Sequence, residues 1–370
     1  MTNSCDYPLN RTDCEDLVEP EFYSYKYRVV GTIFQGAIFL SGVFGNVLVI
    51  IVVKRTQSMH TPTNYYLVSL AVADLTVLVY SVPVAISGLF LVSDTWILGD
   101  FGCKLFIFLQ NLGINSSSLN LMAFTVERYI AICHPMMAYK MCTINRAKKI
   151  IFGVWIFSIV YCSPWLVLTW TRPLNIRGYP GVGRCDFKLS REKYLLVFFA
   201  DIMMFYVIPL IVSSILYVLM GRTLLNTHRP SNSEHRKSSS SSRAQVVKML
   251  AVIVALFATL WLPYRGMLVY NSVASLLNKQ KFMDLWFLLF AKTCVFINSA
   301  INPILYNVMS SKFRAAFREF LICSTRSSRN SGQGGSSSTF NLSTIRSFRS
   351  SQNSAAIKRT DDPQIKDLGF

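Results

Sequence analysis

Seven long apolar runs constrain the fold more than any other feature of this sequence. They lie at residues 29–53, 64–93, 104–126, 150–171, 194–220, 249–275 and 285–309. Each is at least about as long as the ~20 residues that a helical membrane span requires. Unpaired backbone groups are too costly in hydrocarbon, and the runs do not alternate as barrel strands do, so helices are expected. The sequence therefore predicts an all-α membrane protein, a bundle of seven transmembrane helices.

The basic residues predict the orientation of this bundle. Segment 129–149 has four bases and no acid, segment 221–248 has six bases and one acid, and the chain after Met309 has ten bases and four acids. Because these segments alternate along the chain, the positive-inside rule places them in the cytoplasm and the acidic N-terminus outside. The 172–193 loop is discordant, since it is assigned to the outside and carries six bases.

The net charge of +18 bears on the partners of the chain. A charge of this sign would also suit nucleic acid. Its position beside membrane spans favours anionic lipid heads and cytoplasmic partners instead, so a lipid membrane and no nucleic acid are expected.

The spans divide the chain into regions. We expect an extracellular N-terminal arm at 1–27, the transmembrane domain at 28–309, an amphipathic cytoplasmic helix at 310–324 and a disordered Ser-rich cytoplasmic tail at 325–370. The amphipathic helix has apolar residues at helical spacing with bases between them, so it would lie along the inner leaflet as an eighth helix. Its apolar residues are Phe313, Phe317, Phe320 and Leu321.

Modification sites are expected in both flanking regions. Asn10 begins an Asn-Arg-Thr glycosylation sequon on the outer side. Cys323 is a candidate for S-palmitoylation, with a free cytosolic thiol as the alternative. The Ser-rich stretch 231–245 between the fifth and sixth spans is predicted to be disordered and phosphorylatable, or else a solvated linker without regulation.

The cysteines predict one extracellular bridge. Cys103 lies at the outer end of the third span and Cys185 in the loop after the fourth, both in the oxidising compartment. A disulfide between them would hold that loop across the mouth of the bundle. Cys5 and Cys14 are a second candidate pair, and their pairing stays open.

Polar residues within the spans predict an ion site. Asn298 and Asn302 are four residues apart and therefore share a helix face. Together with Ser117 they can surround a water-filled pocket in which the Asp74 carboxylate holds a sodium ion. A purely structural hydrogen-bond network is the alternative. No other cofactor or metal is expected.

Two further patterns point to signalling. Glu127 and Arg128 lie where the third span meets the cytoplasm, either with a snorkelling arginine or as a pair that breaks to release Arg128 for a partner.

One face of the sixth span runs outward past Pro263, which should kink the helix. That face contains Phe257, Trp261, Tyr264, Leu268 and Asn271. Packing is the ordinary role of such a face, but Tyr264 and Asn271 require polar partners, and a ligand is one candidate.

Lys292 stands in the apolar run "FAKTCVFINSAINPILYN", where an ammonium is costly. It lies ten residues before Asn302, hence about 15 Å further out along a helix. In a structural role, Lys292 would snorkel to the outer headgroups or pair with a carboxylate. In a functional role, it would face a cavity and contact a ligand. Asp201 is the carboxylate within reach, and Arg265 competes for it.

Short motifs in a fixed order carry a family resemblance. They are "GNVLV", "LAVADL", Cys103 with Cys185, "ERY", Trp155, Pro209 with Tyr217, "FATLWLP" and "NPILY". In this order on seven spans, they resemble the rhodopsin-like class of G-protein-coupled receptors. Longer stretches such as "RTQSMHTPTNYYLVSLAVADL" and "NSAINPILYNVMSSKFRAAFRE" look like the thyrotropin-releasing-hormone receptors, over about residues 28–322.

The resemblance implies a multi-pass plasma-membrane receptor for a short C-terminally amidated peptide. It also implies coupling mainly to the Gq class of G protein and phospholipase C, with arrestin and receptor kinases as further partners. The candidate ligand contacts are Gln110, Asn111, Asn115, Asp201, Tyr264, Arg265, Asn271 and Lys292. The candidate activation residues are Glu127, Arg128, Tyr217, Phe257, Trp261, Asn302, Pro303 and Tyr306.

Two departures from that family bear on the ligand. Asn111 stands where the family has a tyrosine, and Lys292 where it has an arginine. They favour a related amidated peptide over the identical one.

Four other functions are the alternatives to this one. A rhodopsin-like receptor for an unrelated peptide or small molecule is the serious rival. A transporter would show broken helices and repeats, and a light sensor would need a lysine where Phe296 stands. Neither a hydrolytic triad nor a metal cluster is visible in the sequence, so an enzyme is not expected.

Overall fold

The computed structural model describes residues 18–92, 95–189, 191–227, 234–309 and 313–318. Seven long helices lie within these residues and confirm the predicted all-α class. They are α1 (Tyr25–Arg55), α2 (Pro62–Gly88), α3 (Gly99–Cys133), α4 (Ile144–Cys162), α5 (Arg191–Ile202, the π-helical turn Met203–Val207 and Ile208–Thr227), α6 (Glu234–Leu276) and α7 (Leu285–Met309). Short helices at Gln57–Met59, Pro135–Met141 and Trp165–Leu168 connect them, and residues 313–318 form a last helical segment.

Six of the seven helices are long and apolar enough to cross a membrane, and α3 is the one that falls short. With 35 residues it has the length, but it carries Asn111, Asn115, Asn120 and the serines 116–118. Asn115 and Asn120 are completely buried. The polar face of α3 is therefore turned into the bundle, where neighbouring helices rather than lipid surround it.

Three helices begin at residues that cap them. Ser24, Thr61 and Thr143 each accept, through the side-chain hydroxyl, the backbone N–H three residues further on. Pro62 occupies the first turn of α2, where its missing N–H costs nothing. Local sequence thus sets where α1, α2 and α4 start.

Packing closes the helices into a bundle around α3. The helix α1 packs on α2 and α7, α6 packs on α5 and α7, and α3 contacts α2, α4 and α5. Gly42 allows α1 and α7 to approach closely, because a Cβ there would lie 2.8 Å from the Cβ of Ala300. Asn46 joins the same helices by donating to the Ser299 carbonyl at 3.0 Å.

The loop after α4, which is predicted to be extracellular, forms a hairpin that was not predicted from the sequence. Strand β1 (Thr169–Pro173) pairs antiparallel with β2 (Gly183–Phe187), with Thr171 opposite Cys185. Gly178 and Gly181 in the connection have φ angles of 78° and 75°, a region that favours glycine.

The prediction of disorder for 231–245 is wrong for the part of this stretch that the structure describes, because α6 already begins at Glu234. Helix propagates at one hydrogen bond per residue from the apolar part of α6, and the stretch from Glu234 to Leu250 contains neither Gly nor Pro to stop it.

Residues 313–318 are helical, as the eighth-helix prediction requires. Phe313 is buried and its ring lies 5.9 Å from that of Tyr306, so part of its apolar face packs against α7. The predictions for Asn10, Cys5, Cys14, Cys323 and the tail 325–370 lie outside the described residues.

Candidate functional site

A cavity of about 400 Å³ lies between α1, α2, α3, β2, α6 and α7, at the end of the bundle that is predicted to face outward. Much of its wall is apolar or aromatic, as in small-ligand sites, whose volumes span a similar range. Its polar lining includes Gln35, Ser81, Gln110, Arg184, Tyr264 and Lys292. Three of these, Gln110, Tyr264 and Lys292, were predicted from the sequence as ligand contacts, and the fold brings them to one cavity.

The hairpin is held at this cavity by covalent and polar contacts. Cys103 and Cys185 form the predicted disulfide, with their Cα atoms 5.4 Å apart, and Cys185 lines the cavity. Asp100, at the outer start of α3, accepts the Thr171 N–H at 2.9 Å and pairs with Lys104 at 2.5 Å. The hydrogen bond from Lys104, followed by that from Thr171, lowers the pKa of the Asp100 carboxyl. The backbone N–H of Trp96 donates to the Gly183 carbonyl at 2.7 Å.

Lys292 is exposed at the cavity on α7 rather than buried in the bundle. The carboxylate considered as its partner, that of Asp201, forms an ion pair with Arg265 instead. The partner of Asp201 is therefore Arg265 and not Lys292.

Asn115, Asp201 and Arg265 make a separate polar cluster between α3, α5 and α6. The Asn115 amide donates to Asp201 Oδ1 at 3.2 Å. The side chains of Arg265 and Asp201 are only 7% and 14% exposed, and the Arg265 guanidinium lies 5.1 Å from the centre of the Trp261 ring. These residues were grouped with the ligand contacts, but they are not among the cavity lining. The charges of Asp201 and Arg265 pair with each other instead, while Asn115 Oδ1 and Arg265 Nε have no hydrogen-bond partner among the described residues.

The two remaining predicted contacts, Asn111 and Asn271, are also placed differently by the structure. Asn111 donates to the Ile107 carbonyl of its own helix at 2.8 Å. Asn271 donates to the Phe282 carbonyl at 2.9 Å and accepts the Phe282 N–H at 2.7 Å, which ties the end of α6 to the following loop. Backbone groups thus provide the polar partners for which a ligand had been considered.

The Asp74 carboxylate is fully buried among α2, α3 and α7. Ser117 donates to its Oδ1 at 2.9 Å and Asn302 to its Oδ2 at 2.8 Å. Asn298, one helical turn before Asn302, is also buried. A carboxylate with hydroxyl and amide oxygens nearby is the donor chemistry of a hard cation, so these residues fit a sodium ion as well as a structural network.

Glu127 and Arg128, at the end of α3 that is predicted to face the cytoplasm, do not form the ion pair that was one of the two alternatives. Glu127 is buried and Arg128 half-buried, and within the described part of the chain their charged groups are not within 4 Å of each other. Consecutive residues on a helix point in directions about 100° apart, which separates the two side chains.

The other predicted activation residues lie in or beside the core. Phe257 and Trp261 on α6 are buried, with their rings 6.3 Å apart. Tyr217 on α5 packs against the same apolar cluster, which includes Tyr306. Asn302, Pro303 and Tyr306 follow one another along the buried part of α7.

Three further polar residues of the cavity lining were not predicted from the sequence, namely Gln35, Ser81 and Arg184. Gln35 is a large polar residue inside the first apolar run, "VGTIFQGAIFL", and that interruption was the available signal. Ser81 carried no comparable signal, since buried serines are common in membrane helices.

Comparison with known proteins gives one family. The family described as 7 transmembrane receptor (rhodopsin family) matches residues 45–306. The thyrotropin-releasing hormone receptor of Gallus gallus is 44% identical over 334 residues, which cover 83% of this chain and 82% of that protein. The Homo sapiens receptor of the same name is 43% identical over 353 residues, 87% of this chain and 85% of that protein. Neuromedin-U receptor 1 of Rattus norvegicus is 34% identical over 308 residues, 78% of this chain and 72% of that protein.

Proposed function

Because the chain belongs to the rhodopsin family of seven-transmembrane receptors, we propose that it binds a short C-terminally amidated peptide at the plasma membrane. The chain is a receptor rather than an enzyme or a transporter. The proposed orientation has the N-terminus outside and the C-terminus in the cytoplasm. The observation that carries the proposal is the outer cavity, where Gln110, Tyr264 and Lys292 converge beneath the disulfide-anchored hairpin.

The chemistry of Lys292 favours a carbonyl-bearing peptide end. Lys292 lines the cavity, and its ammonium donates hydrogen bonds but cannot accept them. An amide carbonyl is a suitable acceptor, and the amide carries no charge into the bundle. Lysine offers a single-point donor where the related receptors' arginine offers a planar fork, so the preferred peptide differs in its last residue.

Signalling is proposed to run from this cavity to the inner ends of the helices. Trp261 on α6 contacts the Arg265 guanidinium near the outer half, and Arg128 lies at the inner end of α3. In this scheme Arg128 contacts a Gq-class G protein, which activates phospholipase C, while receptor kinases and arrestin act on the Ser-rich tail. Asp74, with Ser117, Asn298 and Asn302, holds an allosteric sodium ion.

Calcium flux tests the proposal. Cells expressing the full chain are challenged with a library of short C-terminally amidated peptides and with each matching free acid. The expected result is a calcium response to a subset of the amides. Cells expressing Arg128→Ala should bind the same peptides and reach the surface but give no response. A wild-type receptor that is present at the surface and answers none of the amides contradicts the amidated-peptide proposal.

A second candidate is a rhodopsin-family receptor for an unrelated ligand. The observation that favours it is the pair of departures at Asn111 and Lys292. A calcium response to a small molecule or a long peptide, together with silence towards the amide library, would support this alternative.

A further inference from the structure

The segment that precedes α1 is attached to the connection between β1 and β2. The Val18 N–H donates to the Asn175 carbonyl at 2.9 Å, and the Arg177 N–H donates to the Val18 carbonyl at 3.0 Å. The side chains of Glu19 and Arg177 form an ion pair at 2.7 Å. Two backbone hydrogen bonds and one ion pair therefore hold residues 18 and 19 on the hairpin.

The other end of this segment belongs to the cavity wall. Tyr23 and Tyr27 both line the cavity, and their rings stack with the centres 5.0 Å apart. Tyr27 is held on α7, since its hydroxyl donates to the Leu285 carbonyl at 3.2 Å and its ring centre lies 5.2 Å from that of Trp286. Tyr23 is therefore positioned by α1 and α7, whereas Val18 is positioned by the hairpin.

The chain between these two attachments is extended. Residues 19–24 form neither helix, strand nor turn, and the five residues from 18 to 23 span at most about 17 Å. Pro20 fixes its own φ angle and favours an extended backbone at the residue before it. Phe22 adds a further contact, because its ring lies edge-on to that of Tyr179 with the centres 6.4 Å apart. We call residues 18–23 the strap. Since β2 of the same hairpin also lines the cavity, the strap joins two parts of the cavity wall.

We propose that the strap closes the cavity mouth between α1 and the hairpin and slows the passage of molecules in both directions. A few backbone hydrogen bonds and an exposed ion pair contribute little net free energy. The strap can therefore detach from the hairpin while the helix bundle stays folded. Because a detached strap lets molecules enter and leave equally, it raises both rates and changes the equilibrium affinity little. The proposal does not depend on the identity of the ligand.

The test measures access to the cavity of the full-length receptor on intact cells. Ala85 lines the cavity from α2, so in Ala85→Cys a membrane-impermeant fluorescent maleimide reports how fast a molecule enters. The receptor without this change gives the background, and an antibody measures surface expression. Glu19→Lys, added to Ala85→Cys, replaces attraction to Arg177 by repulsion. We expect labelling to become about threefold faster, which is within the effect of one exposed ion pair.

Two further variants separate the strap from a general effect of charge. Glu21→Lys is the matched control, because it makes the same charge change two residues away. Glu21 takes part in none of the ion pairs among the described residues, so its variant should label within about 1.5-fold of the parent rate. The double variant Glu19→Lys with Arg177→Glu forms the pair with its charges exchanged and should return to the parent rate.

Several results would overturn the strap while the proposed receptor function stands. They are equal labelling of Glu19→Lys and its parent, equal acceleration by Glu19→Lys and Glu21→Lys, and a double variant that labels as fast as Glu19→Lys.

Peptide binding gives a second measurement once an amide of the library activates the receptor. A fluorescent form of that amide should associate and dissociate about threefold faster in Glu19→Lys, with little change in affinity. Faster dissociation at an unchanged association rate would make the strap a peptide contact and overturn its role in passage.

Discussion

At the scale of single residues, the position of Lys292 at the cavity leads to a quantitative prediction. Lys292→Gln should raise the half-maximal agonist concentration at least about tenfold, or about 1.4 kcal/mol, without loss of the maximal response. Lys292→Arg should keep activity and shift the preference towards thyrotropin-releasing hormone, because it restores the planar fork. An unchanged dose–response curve for Lys292→Gln, at normal surface expression, would show that the lysine only snorkels.

The ion pair between Asp201 and Arg265 should be important for stability. Both side chains are largely buried, so Asp201→Asn leaves a buried guanidinium without its counter-charge. Such a change costs about 3–5 kcal/mol in buried pairs. We expect a clearly lower Tm for the receptor in detergent, and partial recovery in the double variant Asp201→Asn with Arg265→Gln.

The exposed pair of Glu19 and Arg177 provides the control for this measurement. These side chains are 69% and 53% exposed, and exposed pairs contribute little. Glu19→Gln should therefore leave the Tm nearly unchanged. A similar drop in Tm for Asp201→Asn and Glu19→Gln would mean that burial of the first pair has no energetic consequence.

At the scale of elements, the hairpin is the part whose loss should affect binding most. The Cys103–Cys185 disulfide fixes β2 to the outer end of α3, and Arg184 and Cys185 form part of the cavity wall. Cys103→Ala or Cys185→Ala should abolish peptide binding and lower surface expression. Cys142→Ser, which changes a free cysteine on the predicted cytoplasmic side, should leave radioligand binding intact. Normal affinity in either disulfide variant would refute the anchoring role.

At the scale of the whole molecule, Asp74 connects three helices through its two oxygen atoms. Asp74→Asn should weaken signalling while surface expression stays near normal, because the carboxylate biases the equilibrium between two receptor conformations. Replacing sodium by choline at constant ionic strength should change agonist affinity in the wild type and not in the variant. An equal response to sodium in both would remove Asp74 as the ion site.

The sequence by itself determined the architecture and the polar side chains that must be buried. The seven apolar runs predicted the helix bundle, and the compartment of Cys103 and Cys185 predicted their disulfide. Hydropathy and cysteine position can be read along the chain, since lipid and redox environment act on each segment directly.

Only the tertiary structure decided which polar residues meet. From the sequence, Asn115, Asp201 and Arg265 were predicted to contact the ligand together with Lys292, but they form their own buried cluster. Gln35 lines the cavity, although it was not predicted to do so. The physical reason is that periodicity shows which face of a helix is polar, whereas the partner of that face depends on the rotation and packing of its neighbours. The hairpin was missed for a related cause, because the pairing of β1 with β2 depends on contacts between separate segments.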